Sequence, residues 1–304
     1  MSLTDIQVKT NTRIMDTIEI IELEPEERYS QQIIRRFKKN RLAVAGLIFI
    51  ILLVFTGLFA PWLTPHNPNE VTAFFSASPS SVHWLGTDQV GRDVLSRLIY
   101  ATRISLIVGF LTVSIYVTVG TTIGLISAYY GGWMDMFVMR LSDIFMAFPY
   151  LMVILVVVSV LGSSLTTIIL VLALFSWPTV ARLVRGNVLS LKQLDYVKAS
   201  IALGLSPWRI MFSHILPNTL GPIIVNATFG IAAAILSEAG LSFLGMGIQP
   251  PTPSWGNMLS DAQSLTVLTN QPWLWVPAGS ILLLTVLAIN SMGDGLRDAL
   301  DPKQ

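Results

Sequence analysis

Only 12% of the residues are charged, so an ionisable residue in an apolar setting stands out as a candidate for chemistry. The most isolated is Glu238, the one Asp, Glu, Lys or Arg between 210 and 260. Burying a charge at the centre of a membrane span costs roughly 2.5–3.5 kcal/mol on insertion scales, so Glu238 must face protein or a watery path, or hold a proton. Two readings stand side by side: a group on a translocation path, and a buried structural hydrogen-bond partner. Other chemistries lack their residues. There is no cysteine for disulfides or thiolate metal sites, and His66, His83 and His214 are too few and too far apart for a metal motif, so no metal is expected. No Gly-Lys dipeptide exists from which to build a phosphate-cradling loop, so any ATP used must be bound by another subunit. No HExxH helix is present, and Gly240-Leu-Ser-Phe-Leu-Gly245 has the wrong spacing for a nucleophile elbow. The sequence therefore points away from an enzyme. A single intramembrane carboxylate and no evident repeat leave an ion-coupled secondary transporter as a distant alternative. The net charge of +1 implies no nucleic-acid partner.

A second concentration of informative residues is the polar island from Asp195 to Asn218, which lies between long apolar runs. Gly204 can take the left-handed conformation that ends a first helix of roughly Leu194 to Leu203. Ser206 suits the cap of a second helix, Pro207 its first turn and Pro217 its end. Two short helices joined at a glycine form a rigid knuckle.

The elements that carry these residues are membrane spans. No Asp, Glu, Lys or Arg occurs in 42–69, 104–134, 144–181 or 262–293. Each gap exceeds the about 20 apolar residues a spanning helix needs. The longest gap breaks naturally at Gly162-Ser-Ser164. Six spans result, near 42–62, 104–127, 145–161, 165–181, 219–244 and 272–292, with Pro149 and Pro178 placed to kink two of them. The first span follows Arg41 and lacks a small-residue cleavage site, so it is expected to be retained. With both termini cytoplasmic, sixteen of the nineteen Lys and Arg residues fall inside and only Arg92, Arg97 and Arg103 outside. That places the 195–218 knuckle in the cytoplasm.

Residues 1–34 show no sustained apolar face and read as a mobile or weakly helical tail, followed by a basic anchor to membrane lipid at Arg35-Arg-Phe-Lys-Lys-Asn-Arg41. Residues 1–41 thus form a cytoplasmic tail, and 42–102 the first span with an external loop. Residues 103–292 form a five-helix core containing a loop at 182–218, and 293–304 a cytoplasmic end. In the external loop, Val90, Val94, Leu95, Leu98 and Ile99 recur at helical spacing with Asp93 four residues before Arg97, which predicts an interfacial helix leading into the second span. Arg140 and Asp143 share a helix face and are expected to pair with each other or with neighbouring helices. Trp255, Trp273 and Trp275 fit an outer aromatic belt.

The stretch Asp195–Asn218 resembles the cytoplasmic coupling loop of bacterial ATP-binding cassette (ABC) importer permeases. Ala199 and Gly204 match its Glu-Ala-Ala and Gly pattern, Ser200 replaces the second alanine, and Lys198 reverses the usual glutamate charge. Leu85-Gly-Thr-Asp88, Gly91-Arg-Asp-Val-Leu-Ser-Arg97, Ser242-Phe-Leu-Gly245, Pro250-Pro-Thr-Pro-Ser-Trp-Gly256 and Gly293-Asp-Gly-Leu-Arg-Asp-Ala-Leu-Asp-Pro302 resemble more specifically the C-type permeases of oligopeptide and dipeptide importers. The similarity runs from about Leu85 to Pro302 and continues weakly through the first span.

This resemblance implies an all-α integral membrane protein with six transmembrane helices and the type I ABC importer permease fold, in a bacterial cell membrane. It implies work beside a sister permease, two ABC ATPase subunits that hold ATP and Mg, and an extracytoplasmic peptide-binding lipoprotein. The chain itself would hold no cofactor. Peptides would be moved by alternating access, and related permeases carry nickel complexes, glutathione or opines. The residues implied to couple to the ATPases are Asp195, Lys198, Ala199, Ser200, Gly204, Ser206, Pro207, Arg209, His214 and Pro217.

Overall fold

The computed structural model describes residues 29–300, and those residues contain helices and no β-strand. The expectation for residues 1–28 and the last four residues of the C-terminal tail lie outside them. Helix α1 (Tyr29–Lys39) carries most of the basic anchor, and Asn40 then caps α2 (Arg41–Leu58) by accepting the Ala43 amide at 3.2 Å. A short α3 (Ala60–Leu63) leads into a loop segment that ends at Asp93.

Helix α4 (Val94–Tyr130) runs 37 residues without a break. The predicted interfacial helix and second span are therefore one element. The Asp93 side chain caps α4, its Oδ2 accepting the Ser96 amide at 2.8 Å, while the Arg97 side chain lies near Asp88. Helices α5 (Gly132–Met146) and α6 (Tyr150–Leu161) meet at 84°. The expected 145–161 span is thus a 12-residue helix after a sharp break, because Pro149 sits between helices and not inside one. α7 (Leu165–Leu191) starts at Ser164, whose side chain accepts the Thr167 amide at 3.1 Å, and continues through Pro178 well past residue 181. The loop expected from 182 therefore begins only at Lys192.

Helix α8 (Asp195–Ala202) and the single turn α9 (Pro207–Arg209) flank Gly204. α9 passes through a π-helical stretch, Ile210–Ile215, into α10 (Leu216–Phe243). Pro217 consequently does not end a helix. Within the π turn the Leu216 amide reaches five residues back to Met211, and the proline falls in the first turn of α10, where its missing N–H is tolerated. The chain closes with α11 (Trp255–Ser260), a 3₁₀ turn Asp261–Gln263, α12 (Leu265–Asn270) and α13 (Pro272–Leu300). Among the described residues, five helices are long and apolar enough to cross a membrane, or six if α5 and α6 together make one span.

α4 and α7 form the most extensive helix-to-helix contact among the described residues. Gly120 and Gly124, one turn apart on α4, let the backbones touch: a Cβ at Gly124 would lie 2.5 Å from the Ala181 carbonyl, and one at Gly120 2.7 Å from that of Trp177. Small residues four apart replace hydrophobic drive with close van der Waals packing in lipid. α10 packs against both α4 and α13, and α13 against α2. The buried core runs through all of these helices, whereas the outer sides of α2 and α6 leave Ile51, Leu52, Phe55, Val156 and Val160 exposed, as lipid-facing helices do. Trp255 is fully buried and so is not part of an outer belt. Trp273 and Trp275 are half-buried.

Candidate functional site

The knuckle between α7 and α10 is built from a complete glycine-closed helix end. Gly204 has φ +75°, and its amide and that of Leu205 donate to the carbonyls of Ile201 and Ser200 at 3.0 and 3.2 Å. These two bonds satisfy carbonyls that α8 would otherwise leave orphaned. Ser206 occupies the cap position before Pro207, but its side chain makes no capping bond, so φ preset by Pro207 starts the next turn. Val197 on α8 packs into the core with Ile210, Met211 and Ile215, which fixes the knuckle to the ends of the long helices. Ser200 is buried and bonds back to the Tyr196 carbonyl at 2.8 Å. Asn218 donates to the carbonyl of half-buried His214 at 2.7 Å.

The remaining expected residues, Asp195, Lys198, Ala199, Gly204, Ser206, Pro207, Arg209 and Pro217, are exposed on this one feature. Lys198 lies 3.9 Å from Asp195, too loose to fix either side chain. Sequence reasoning missed the apolar part of the surface. Leu203 is 79% exposed, Trp208 is 56% exposed, and Trp208 stacks on Phe212 with centroids 5.6 Å apart. Tyr196 and Ile201 on α8 are exposed as well, so the knuckle presents aromatic and aliphatic side chains of the kind found on protein-binding surfaces. A Trp and a Phe four residues apart just after Pro207 were the available signal.

Beside the knuckle, α5 is fastened to α7 by ion pairs. Arg185 meets both oxygens of Asp135 at 2.7 Å, Arg182 bonds Asp143, and Arg140 lies 3.7 Å from Asp143. Lys192 donates to the Tyr129 carbonyl at 2.6 Å and ties the start of the knuckle to the end of α4.

Glu238 is fully buried at the opposite end of α10. Its Oε1 accepts from Ser242 at 2.7 Å and from Ser254 at 2.8 Å, and its Oε2 has no partner among the described residues. Ser254 also caps α11, while the Trp255 backbone N–H and indole Nε1 donate to Ser105 and Thr102 at 3.1 and 3.3 Å. Glu238 therefore faces protein and joins α10 to the start of α11, which Trp255 in turn ties to α4.

The loop before α4 carries a charged network that periodicity alone did not reveal. Asp88 accepts the Arg92 Nε at 2.7 Å and lies 3.6 Å from Arg97, which is buried with Nη1 3.4 Å from the carbonyls of Pro68 and Pro251. Burial and the nearby Asp88 carboxylate push Asp261 up to about 6, against the opposing pull of Arg97 and Arg92. In the same loop, His66, His83 and Asp93 each place one ligand atom within 4.8 Å of the others, so two of the three histidines expected to be far apart come together, while His214 is not among them. Folding brings together residues up to 27 positions apart. His83 Nδ1 and Asp93 Oδ1 bond at 2.9 Å and His66 Nε2 bonds the Val82 carbonyl at 3.1 Å, so both rings already help to order the loop.

Residues 120–304 match the family described as binding-protein-dependent transport system inner membrane component. Residues 28–79 match the N-terminal transmembrane domain of oligopeptide transport permease C. A dipeptide transport system permease protein of Alkalihalophilus pseudofirmus is 44% identical over 92% of this chain and 93% of its own length. A glutathione transport system permease protein of Pectobacterium atrosepticum is 43% identical over 88% and 89%, and a putative peptide permease protein of Brucella suis 44% identical over 88% and 89%.

Proposed function

The chain belongs to the binding-protein-dependent transport system inner membrane component family, and from that membership we propose that it is the C-type permease of an importer for oligopeptides or dipeptides. Such a protein is a multi-pass component of the bacterial inner membrane. Its partners would be a sister permease, two ATPase subunits that hold ATP and Mg, and an extracytoplasmic peptide-binding lipoprotein. No catalysis is assigned to this chain.

One observation carries the coupling part of this reading. Exposed aromatic and aliphatic side chains sit on a rigid turn whose inner face is locked to two spanning helices, α7 and α10. An ATPase seated on Leu203, Trp208 and Phe212 would push on a lever and not on a loose loop. The push would tilt α7 and α10 and open the path alternately to either side of the membrane. Sixteen of nineteen Lys and Arg residues on the knuckle's side support a cytoplasmic placement.

The test is uptake of labelled di-, tri- and pentapeptides by a strain lacking the chain, with and without its restoration. Restored, ATP-dependent peptide accumulation is expected, and absence of any peptide uptake by the restored strain would refute the substrate class. The glutathione permeases at 43% identity favour glutathione as the second reading, which competition by unlabelled glutathione would reveal.

A further inference from the structure

A cavity of about 300 Å³ opens among α4, α6, α7 and α10, away from Glu238 and from the charged loop before α4. It lies within the charge-free runs that make the spans, yet its walls hold Tyr116, Tyr150, Ser176, Thr179 and Asn226. Polar groups at that depth are expensive to keep, and no Asp, Glu, Lys or Arg stands among the residues lining the cavity.

Ser176 and the Tyr150 hydroxyl are already engaged, Tyr150 with both Ser176 and Ser237, and the rest of the wall's hydrogen-bonding capacity is unspent. Ser176 donates to the Leu172 carbonyl at 2.7 Å and meets the Tyr150 hydroxyl at 3.4 Å. The Tyr116 hydroxyl, the Thr179 hydroxyl and the Asn226 carboxamide have no hydrogen-bond partner among the described residues. Gly230 is what allows Tyr116 to lie across α10, since a Cβ there would fall 1.8 Å from the phenolic oxygen. Phe229 supplies an apolar surface beside these groups.

We propose that this cavity is a transit site for the peptide backbone, bound through neutral donors and acceptors whatever the charge of the peptide's side chains. Every peptide residue offers one N–H and one C=O, and phenol, hydroxyl and carboxamide groups can pair with both. A wall without formal charge holds neither cationic nor anionic peptides too tightly to release, and leaves selection to other parts of the importer. About 300 Å³ is at the lower end of small-ligand pockets, which suits one short segment of chain held in passing. The inference rests on the peptide-import reading above.

The experiment gives the site a charge and reads selectivity. Importer complexes carrying wild-type chain, Asn226→Asp or Asn226→Lys are reconstituted in proteoliposomes, and uptake of labelled Ala-Lys-Ala and Ala-Glu-Ala is compared. Wild type should carry both. Asn226→Asp should shift the ratio about tenfold toward the lysine peptide, and Asn226→Lys should shift it in the opposite sense. Equal loss of both peptides in the two variants, or an unchanged ratio with transport intact, would overturn the site while leaving peptide import standing. Failure of the wild-type complex to import either peptide would remove the import reading and the site with it. Tyr150→Phe and Thr179→Val provide a second check: each should raise the KM for both peptides several-fold without changing their ratio, and unchanged KM values would count against the site.

Discussion

The Leu205 amide donates to the Ser200 carbonyl 3.2 Å away, closing the helix end over Gly204. A Cβ at Gly204 would meet nothing within 4 Å, so the demand for glycine there comes from φ +75° and not from crowding. An L-residue in this region costs about 1–2 kcal/mol, and a β-branched one more. Gly204→Val should therefore abolish uptake while the chain remains in the membrane. Gly204→Asn should retain most of it, because Asn tolerates the left-handed region. Uptake measured beside membrane content checks both.

Lys198 is 61% exposed on its side chain and only 3.9 Å from a fully exposed Asp195. Lys198→Glu should leave co-purification of the ATPase subunits unchanged, since no ordered pair is lost. Loss of association would show that the lysine itself touches the partner.

Glu238 acts as an acceptor for two serines. Glu238→Gln keeps an oxygen in place and should retain assembly and transport within about twofold, whereas Glu238→Leu strands both hydroxyls at about 1–3 kcal/mol each. Thermal unfolding should then show a lowered Tm for the leucine variant alone. A large fall in transport with normal assembly in Glu238→Gln would instead place the carboxylate on the path.

Asp261 predicts a pH dependence. Its carboxyl lies at about 6 in the folded protein against 3.8 for the free group, because burial and Asp88 outweigh Arg97 and Arg92. The folded state therefore binds the proton more tightly, and this contribution to stability falls as pH rises from about 4 to about 6 and is gone above it. Tm recorded over that window should fall for wild type relative to Asp261→Asn, which lacks the titrating group.

Much of the architecture was legible because lipid imposes a simple rule: charge-free runs of sufficient length become helices. Gly204 was legible for a comparable reason, as a glycine between two helix-forming runs in a polar island. Periodicity could not show that α4 would run on from Asp93, since both an interfacial helix and a longer span have the same repeat. Pro217 misled because proline ends an α-helix from within but is harmless in a first turn, and the π stretch that creates that first turn leaves no mark in composition. The Asp88, Arg92, Arg97 and Asp261 network and the His66, His83 and Asp93 cluster depend on contacts across the loop. Trp255 was assigned to a belt by its neighbourhood in sequence, whereas its indole N–H finds Thr102 on another helix.

The central claim, that the knuckle carries the ATPase, has a direct test because the chain contains no cysteine. Single cysteines replace Leu203 on the knuckle, 79% exposed, and Leu265 near the opposite end of the helices, 73% exposed, and a short thiol-to-amine cross-linker is applied to the assembled complex. Leu203→Cys should cross-link to an ATPase subunit and Leu265→Cys should not. Cross-linking of the ATPase at Leu265, with none at Leu203, would contradict the account.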